Sequence, residues 1–290
     1  MSLAVNNGLL QVIDVEHGAC SLLTVPAPGG GYQRMLIDCG HNATTKFYPG
    51  DHLKKVGATR LEQLVVTNFD EDHASGFPNL EGLGIPIDWF LVNPTITPQA
   101  IRSLKSDDGM GNGIDALANR LERIAAAPRG LIAQATGMTN LPGVKTRWFY
   151  NQYPHFQDEN NLSLVLHLEI HGTSFLFPGD MERAGFENLL NTVAEFRTVV
   201  GGLHILVASH HGRANGICPD LFDKWGCEPQ IVVISDDYKQ YDSQETVNYY
   251  ASKCSGINNF REPGRGRKVL TTRNDGEIKF SFTQGQCIVS

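Results

Sequence analysis

Three groups of carboxylate and imidazole side chains stand directly behind short apolar runs. Leu64-Val-Val-Thr67 is followed by Asn68-Phe69-Asp70-Glu71-Asp72-His73. Phe175-Leu-Phe-Pro-Gly179 is followed by Asp180, and Ile205-Leu-Val-Ala-Ser209 by His210-His211-Gly212. Carboxylate and imidazole together are the donors that a divalent cation takes from a protein. Taken singly, each group has a plainer explanation. An Asp after a Gly is usually a turn residue, a His pair is usually a surface or core feature, and the acids at 70–72 would cap a helix starting near Ala74. Three such groups, each behind a buried strand, point to a metal site, because loops at strand ends are where rigid backbone aims functional side chains. A helix cap leaves the histidines unexplained.

The elements that must position these groups follow from hydrophobic patterning. Strand-like runs cover 9–15, 20–25 and 35–38, with a Pro/Gly turn at 26–31, and a buried strand covers 63–67. A short helix is expected at 51–56. A helical insert is expected at about 95–137, with helical spacing over 98–105 and 114–127. The second stretch puts Ile114, Leu117, Leu121 and Ile124 on one face. Strands return at 145–150, 163–170, 174–178, 204–209 and 231–235, with helices at 183–198 and 244–252. Runs at 269–272 and 277–283 read as a closing hairpin. Strands and helices alternate without a linker, which predicts one α/β domain over 1–290, sheets inside and helices outside.

Composition narrows the function classes. The chain has 290 residues, 41% hydrophobic and 19% charged, enough to bury a full core. A net charge of −7 argues against holding long nucleic acid by bulk electrostatics, though not against a local basic groove. Such a groove has a candidate in Arg261, Arg265, Arg267, Lys268 and Arg273, a run made flexible by Gly264 and Gly266; of these, Arg265, Arg267 and Lys268 are the candidate substrate-binding residues. The alternative is a solvated loop. No apolar run has the length of a membrane span, no signal peptide is recognisable, and six scattered cysteines without a CxxC pair read as free thiols; the expectation is a cytoplasmic protein.

The motifs resemble the metallo-β-lactamase fold. Asn68-x-Asp70-x-Asp72-His73 is similar to its HxHxDH signature, and most similar to the HxDxDH version in the C-terminal domain of the ComEC-type competence proteins. Asp14-Val-Glu-His-Gly-Ala-Cys20 resembles the DVGQGD strand-turn, and Leu36-Ile-Asp-Cys-Gly40 the LIDTG turn. Asn161-Leu-Ser-Leu-Val-Leu166 resembles NxSLVL, Phe177-Pro-Gly-Asp180 the TGD aspartate, and Ser209-His-His-Gly212 the SHHGS motif. The resemblance spans nearly the whole chain and implies an αββα four-layer sandwich with the site between the sheet edges. It implies two metal sites sharing Asp180. The second site would be Asp72, His73, Asp180 and one of His210 or His211, with His211 preferred as ligand and His210 facing substrate. The first would use Asn68, Asp70, Asp180 and a residue near 159–161. Two departures stand out: Asn68 where the family has histidine, and Ala19 where the turn usually ends in aspartate. An amide oxygen suits a hard cation better than zinc. The expectation is therefore one or two ions of Zn²⁺, Mn²⁺ or Mg²⁺.

Such a centre makes hydroxide available near neutral pH. Asp70 or Asp72 would orient the attacking water, and His210 would protonate the leaving oxygen. An oxygen-rich site suits phosphate esters, and the resemblance implies a nuclease. The expected function is a metal-dependent hydrolase, a phosphodiesterase or nuclease acting on DNA, RNA or a nucleotide, beside protein partners in a multi-gene system. The alternatives are a hydrolase of another ester, thioester or amide, and a non-catalytic binding or regulatory module with a degenerate metal site.

Overall fold

A computed structural model of the chain describes residues 7–106, 109–127, 136–237, 245–283 and 285–290. Five strands open it: β1 (Gly8–Val12), β2 (Ser21–Pro26), β3 (Tyr32–Ile37), β4 (Leu61–Val65) and β5 (Ile87–Leu91). A second group follows: β6 (Val144–Tyr150), β7 (Leu164–Ile170), β8 (Thr173–Phe177), β9 (Ile205–Val207) and β10 (Ile231–Ile234). The C-terminal part adds β11 (Ile257–Asn258), β12 (Gly266–Arg267), β13 (Val269–Thr271), β14 (Ile278–Thr283) and β15 (Gln286–Val289). One sheet has the order β15-β14-β1-β2-β3-β4-β5, the other β13-β10-β9-β8-β7-β6, and β11 and β12 form a small ribbon.

The inner strands of both sheets are buried on both faces, and alternation along each decides which layer a side chain joins. Leu22 faces one core while Leu23 and Val25 face another. Leu164, Leu166, Leu168 and Ile170 of β7 point into the space between the sheets, with Leu10, Val12, Met35, Phe280 and Phe282 opposite them. The outer face of the first sheet carries α1 (Pro49–Lys55), α2 (Glu71–Ala74), α3 (Phe77–Gly82), α4 (Pro98–Leu104) and α5 (Asn112–Ala126). Leu53, Phe77, Ile101, Leu117 and Leu121 from these helices meet Leu36, Leu64 and Phe90. The outer face of the second sheet carries α6 (Arg183–Thr192), α7 (Ala194–Gly201), α8 (Pro219–Asp223) and α9 (Val247–Lys253), through Phe186, Leu189, Phe196 and Tyr250. A last turn, α10 (Thr272–Asp275), joins β13 to β14. The architecture is the four-layer αββα sandwich.

Several expectations are corrected in detail. The runs at 269–272 and 277–283 do not form a hairpin. β13 pairs in parallel with β10, whereas β14 crosses to the other sheet and pairs antiparallel with β1 and β15. The expected helix at 183–198 breaks at Val193, whose extended backbone (φ −116°, ψ 102°) separates α6 from α7. The helical insert contains α4 and α5, and Ile114, Leu117 and Leu121 are buried as expected. Residues 107–108 and 128–135 of the expected insert, and position 244 of an expected helix, lie outside the described residues.

Candidate metal centre

The site forms where parallel strands end together. β3, β4 and β5 run parallel in one sheet, and β8, β9, β10 and β13 run parallel in the other. Their C-terminal ends deliver Asp38, the 67–73 loop, Asp180, the 209–212 turn and Ser235 to one edge.

Asp72, His73, Asp180 and His211 converge there, with one donor atom of each within 4.8 Å of all the others. His73 Nε2 lies 2.9 Å from Asp180 Oδ1, and His211 Nε2 lies 3.1 Å from Asp72 Oδ2 and 3.5 Å from Asp180 Oδ1. The rings of His73 and His211 are 5.2 Å apart between centroids. His73, Asp180 and His211 are buried; Asp72 keeps a side-chain exposure of 33% and forms the open side.

Both imidazoles are held from behind. His73 Nδ1 lies 3.0 Å from Asp38 Oδ2, and Asp38 also accepts from the Thr67 amide (2.7 Å) and the Thr67 hydroxyl (2.6 Å). His211 Nδ1 lies 3.0 Å from the Ser235 carbonyl, which can only accept, so Nδ1 carries the proton. Each ring thus presents Nε2 inward. Fixing the far nitrogen in this way is how proteins orient imidazole ligands.

The backbone around the donors is tightly set. His210 (φ 51°, ψ 48°) and His211 (φ 51°, ψ 31°) are both left-handed, at a cost of about 1–2 kcal/mol each. The Ser209 hydroxyl holds the turn by sharing its one proton between the carbonyls of Met181 (2.5 Å) and Gly179 (3.0 Å). At Gly40 and Gly18, a Cβ would stand 2.6 and 2.7 Å from the Asp72 carbonyl, so both turns need glycine to pack against the loop carrying Asp72 and His73.

Electrostatics fit a cation. Burial alone would raise the Asp180 carboxyl, but the His73 and His211 imidazoles beside it hold it far below the usual carboxylate range. Burial alone would lower His211, yet Asp180 and Asp72 push it up to about 8; His73 is raised likewise by Asp180 and Asp38. His211 Nε2 is buried and makes no well-directed hydrogen bond, although it faces a carboxylate. Two nitrogens and two carboxylates around one buried point are a donor set for a divalent transition-type cation.

The other expected site residues fall in different surroundings. His210 lies outside the four-donor group. Its Nε2 is 3.8 Å from Asp180 Oδ2 and 3.2 Å from Arg213 Nη1, which can only donate, so that nitrogen accepts and His210 is neutral. Burial, reinforced by Arg213, lowers its pKa. Asn68 and Asp70 do meet the 159–161 segment. Asn68 Nδ2 donates to Asn160 Oδ1 (3.1 Å), and the Lys105 ammonium bridges Asp70 and Glu159 (2.8 Å to Glu159). Asp70 does not belong to the four-donor group. Arg265 pairs with Glu262 at 3.0 Å and Arg267 with Asp275 at 2.6 Å, while Lys268 is exposed. Arg273 pairs with Asp236, next to the Ser235 that positions His211. Asp38 and Lys105 were not expected as site residues. Asp38 stands inside the LIDCG turn, which was a usable signal; Lys105 had none.

No family model matches the sequence. ComE operon protein 3 of Bacillus subtilis (strain 168) is 23% identical over 248 residues, covering 79% of this chain and 28% of that protein. Competence protein ComA of Neisseria gonorrhoeae is 23% identical over 283 residues, covering 97% of this chain and 33% of its own. The chain thus spans about a third of the length of the curated relatives it matches. Among solved structures, a variant of the β-hydroxylase CmlA aligns over 95% of this chain and 54% of its own, at a TM-score of 0.50 and 12% identity. Fold and site together define a metallo-β-lactamase-fold protein with a candidate divalent-metal centre. Within that class, the chain is similar to the metallo-β-lactamase-like part of the ComEC-type competence proteins.

Proposed function

We propose that this chain is a metal-dependent hydrolase that cleaves phosphodiester bonds in DNA, RNA or a nucleotide. The observation that carries the metal part is the convergence of Asp72, His73, Asp180 and His211 within 4.8 Å, with both imidazoles held so that Nε2 points inward. These four residues would hold the ion. A bound divalent cation, whether Zn²⁺, Mn²⁺ or Mg²⁺, would supply Lewis acidity toward a phosphoryl oxygen and lower the pKa of water.

The chain's own residues have separate parts. Asp72, the one partly exposed donor, borders the side from which substrate would enter and is placed to orient the attacking water. His210 is neutral with its proton on Nδ1, 3.7 Å from Glu182 Oε1, and Arg213 behind it brings positive charge to the rim, suited to a phosphate. Asp38 and Ser235 keep the imidazoles in register. The exposed Lys268 is a further candidate for steering a polyanion; Arg265 and Arg267 would first have to release Glu262 and Asp275. No described helix is long and apolar enough to cross a membrane.

The test is cleavage of single-stranded and duplex nucleic acid, and of a model phosphodiester, in Mn²⁺, Mg²⁺ and Zn²⁺. Turnover abolished by Asp180→Asn supports the reading. Hydrolysis of carboxyl esters or thioesters alone would move the substrate class. Metal binding without turnover on any substrate would leave a binding or regulatory module.

A further inference from the structure

We propose that the Lys105 ammonium takes the place of a second cation, so that the chain holds one metal ion where its fold resemblance implies two. The inference rests on the metal centre proposed above. Three observations carry it. First, Asn68 is turned away from ligation. Its Oδ1 accepts the Phe69 N–H at 2.6 Å, and its Nδ2 donates to Asn160 Oδ1 at 3.1 Å and toward Asp70 Oδ2 at 3.4 Å. An amide nitrogen has no lone pair to give, and exchanging the two ends would break the Phe69 and Asn160 contacts together. Asn68 is fully buried, so no water replaces them.

Second, Asp70 and Glu159 are joined through one ammonium. Lys105 Nζ contacts both carboxylates, which lie 35 and 54 residues away in sequence. Its side chain is only 5% exposed. A buried lysine is tolerated only when paired, and two acids facing one point need a positive charge between them. Lys105 meets both conditions.

Third, the helical insert delivers it. Lys105 caps the C-terminus of α4, whose N-terminus is capped by Thr97 accepting from the Ala100 N–H at 3.1 Å. Ala100 and Ile101 anchor α4 in the core beside α5. The insert therefore carries a fixed monovalent charge into the region where Asn68, Asp70 and the 159–161 segment meet. Unlike a metal ion, that charge survives chelation and cannot dissociate. It holds the loop carrying Asp72 and His73 in place before any ion binds.

The experiment counts ions. Wild-type protein, Lys105→Ala, and Lys105→Ala combined with Asn68→His are equilibrated with Mn²⁺, dialysed and assayed for metal content. Electron paramagnetic resonance then separates isolated from coupled Mn²⁺, and melting is followed with and without chelator. The expected result is one ion per chain in the wild type. Lys105→Ala should melt lower in chelator and regain stability with Mn²⁺, and the double variant should hold two ions with a coupled signal. Two ions in the wild type would overturn the inference and leave the metal centre standing. No ion in the wild type would overturn the metal centre itself, and the inference with it. A Lys105→Ala protein that melts in chelator at the wild-type temperature would also overturn the inference. If Lys105→Ala does not fold, Lys105→Met, which keeps the stem and loses the charge, is compared with Lys105→Arg, which keeps the charge. Lower melting in chelator for Met alone supports the inference, and equal melting overturns it. A coupled Mn²⁺ pair in the wild type overturns it in any case.

Discussion

Asp38 never touches the proposed ion, yet replacing it should weaken the centre measurably. Its carboxylate accepts from the Thr67 amide and hydroxyl and faces His73 Nδ1 at 3.0 Å. Asp38→Asn keeps the volume and one acceptor oxygen, so the Thr67 amide remains satisfied. The new NH₂ group falls on the side of the Thr67 hydroxyl and His73 Nδ1. There it cannot accept the imidazole proton, and His73 loses the partner that fixes its tautomer. Removing such a partner usually costs 10–100-fold in metal affinity, about 1.4–2.7 kcal/mol. Asp38→Asn also removes a charge that raises His73, which lessens proton competition at low pH. The comparison therefore belongs at alkaline pH, where that gain is smallest. Mn²⁺ or Zn²⁺ titration against a chelator indicator gives the affinity, and thermal melting in chelator checks the fold. An Asn variant that melts normally and binds as tightly as wild type would refute the claim that Asp38 orients His73.

Metal binding should release protons, because Asp180 and Asp72 raise His211 to about 8 and Asp180 and Asp38 raise His73 as well. The imidazoles lose those protons on ligation, so affinity should fall as pH drops below about 8; calorimetry in buffers of differing ionisation enthalpy would show it, and a pH-independent affinity would contradict it. His167 is buried with Nδ1 unpartnered, and burial, aided by Arg147, lowers its pKa to about 4. The unfolded chain then binds more protons between the ordinary imidazole value of 6.5 and about 4, so stability should decline as pH falls through that window. Discounted for partial solvent contact, the His167 share is on the order of 2 kcal/mol, and His167→Phe should flatten that part of a urea-denaturation pH profile. Gly40→Ala places a Cβ 2.6 Å from the Asp72 carbonyl and should cost about 1–3 kcal/mol and loosen metal binding; an unchanged melt would show that the turn can yield. The five buried cysteines should resist thiol reagents in the native state, with Cys287 reacting first.

The donors were legible in the sequence because each stands at the end of an apolar run, and strand ends are local features. What local pattern cannot show is who stands behind a ligand. Asp38 reaches His73 across 35 positions, and Ser235 reaches His211 across 24, through pairings that only the assembled sheets create. Lys105 reads as the last residue of an amphipathic helix, and its role depends on Asp70 and Glu159 arriving from elsewhere. The closing hairpin failed for a related reason. Two β-prone runs around Asn274-Asp275-Gly276 look like a hairpin, but Asp275 accepts from the Thr271 amide and from Arg267, which stabilises the α10 turn and lets the strands part to different sheets. The break at Val193 follows Thr192, a β-branched pair in a helix whose apolar face otherwise continues. Among the basic residues, spacing suggested a free patch, whereas Arg265, Arg267 and Arg273 each meet an acid.

The most direct test is anomalous diffraction from a crystal soaked in Mn²⁺ or Zn²⁺. A single peak bounded by His73 Nε2, His211 Nε2 and the Asp72 and Asp180 carboxylates, at about 2.0–2.3 Å from each, is the predicted result. A peak seated instead at Asn68 and Asp70, or no peak among the four donors at saturating metal, would contradict it.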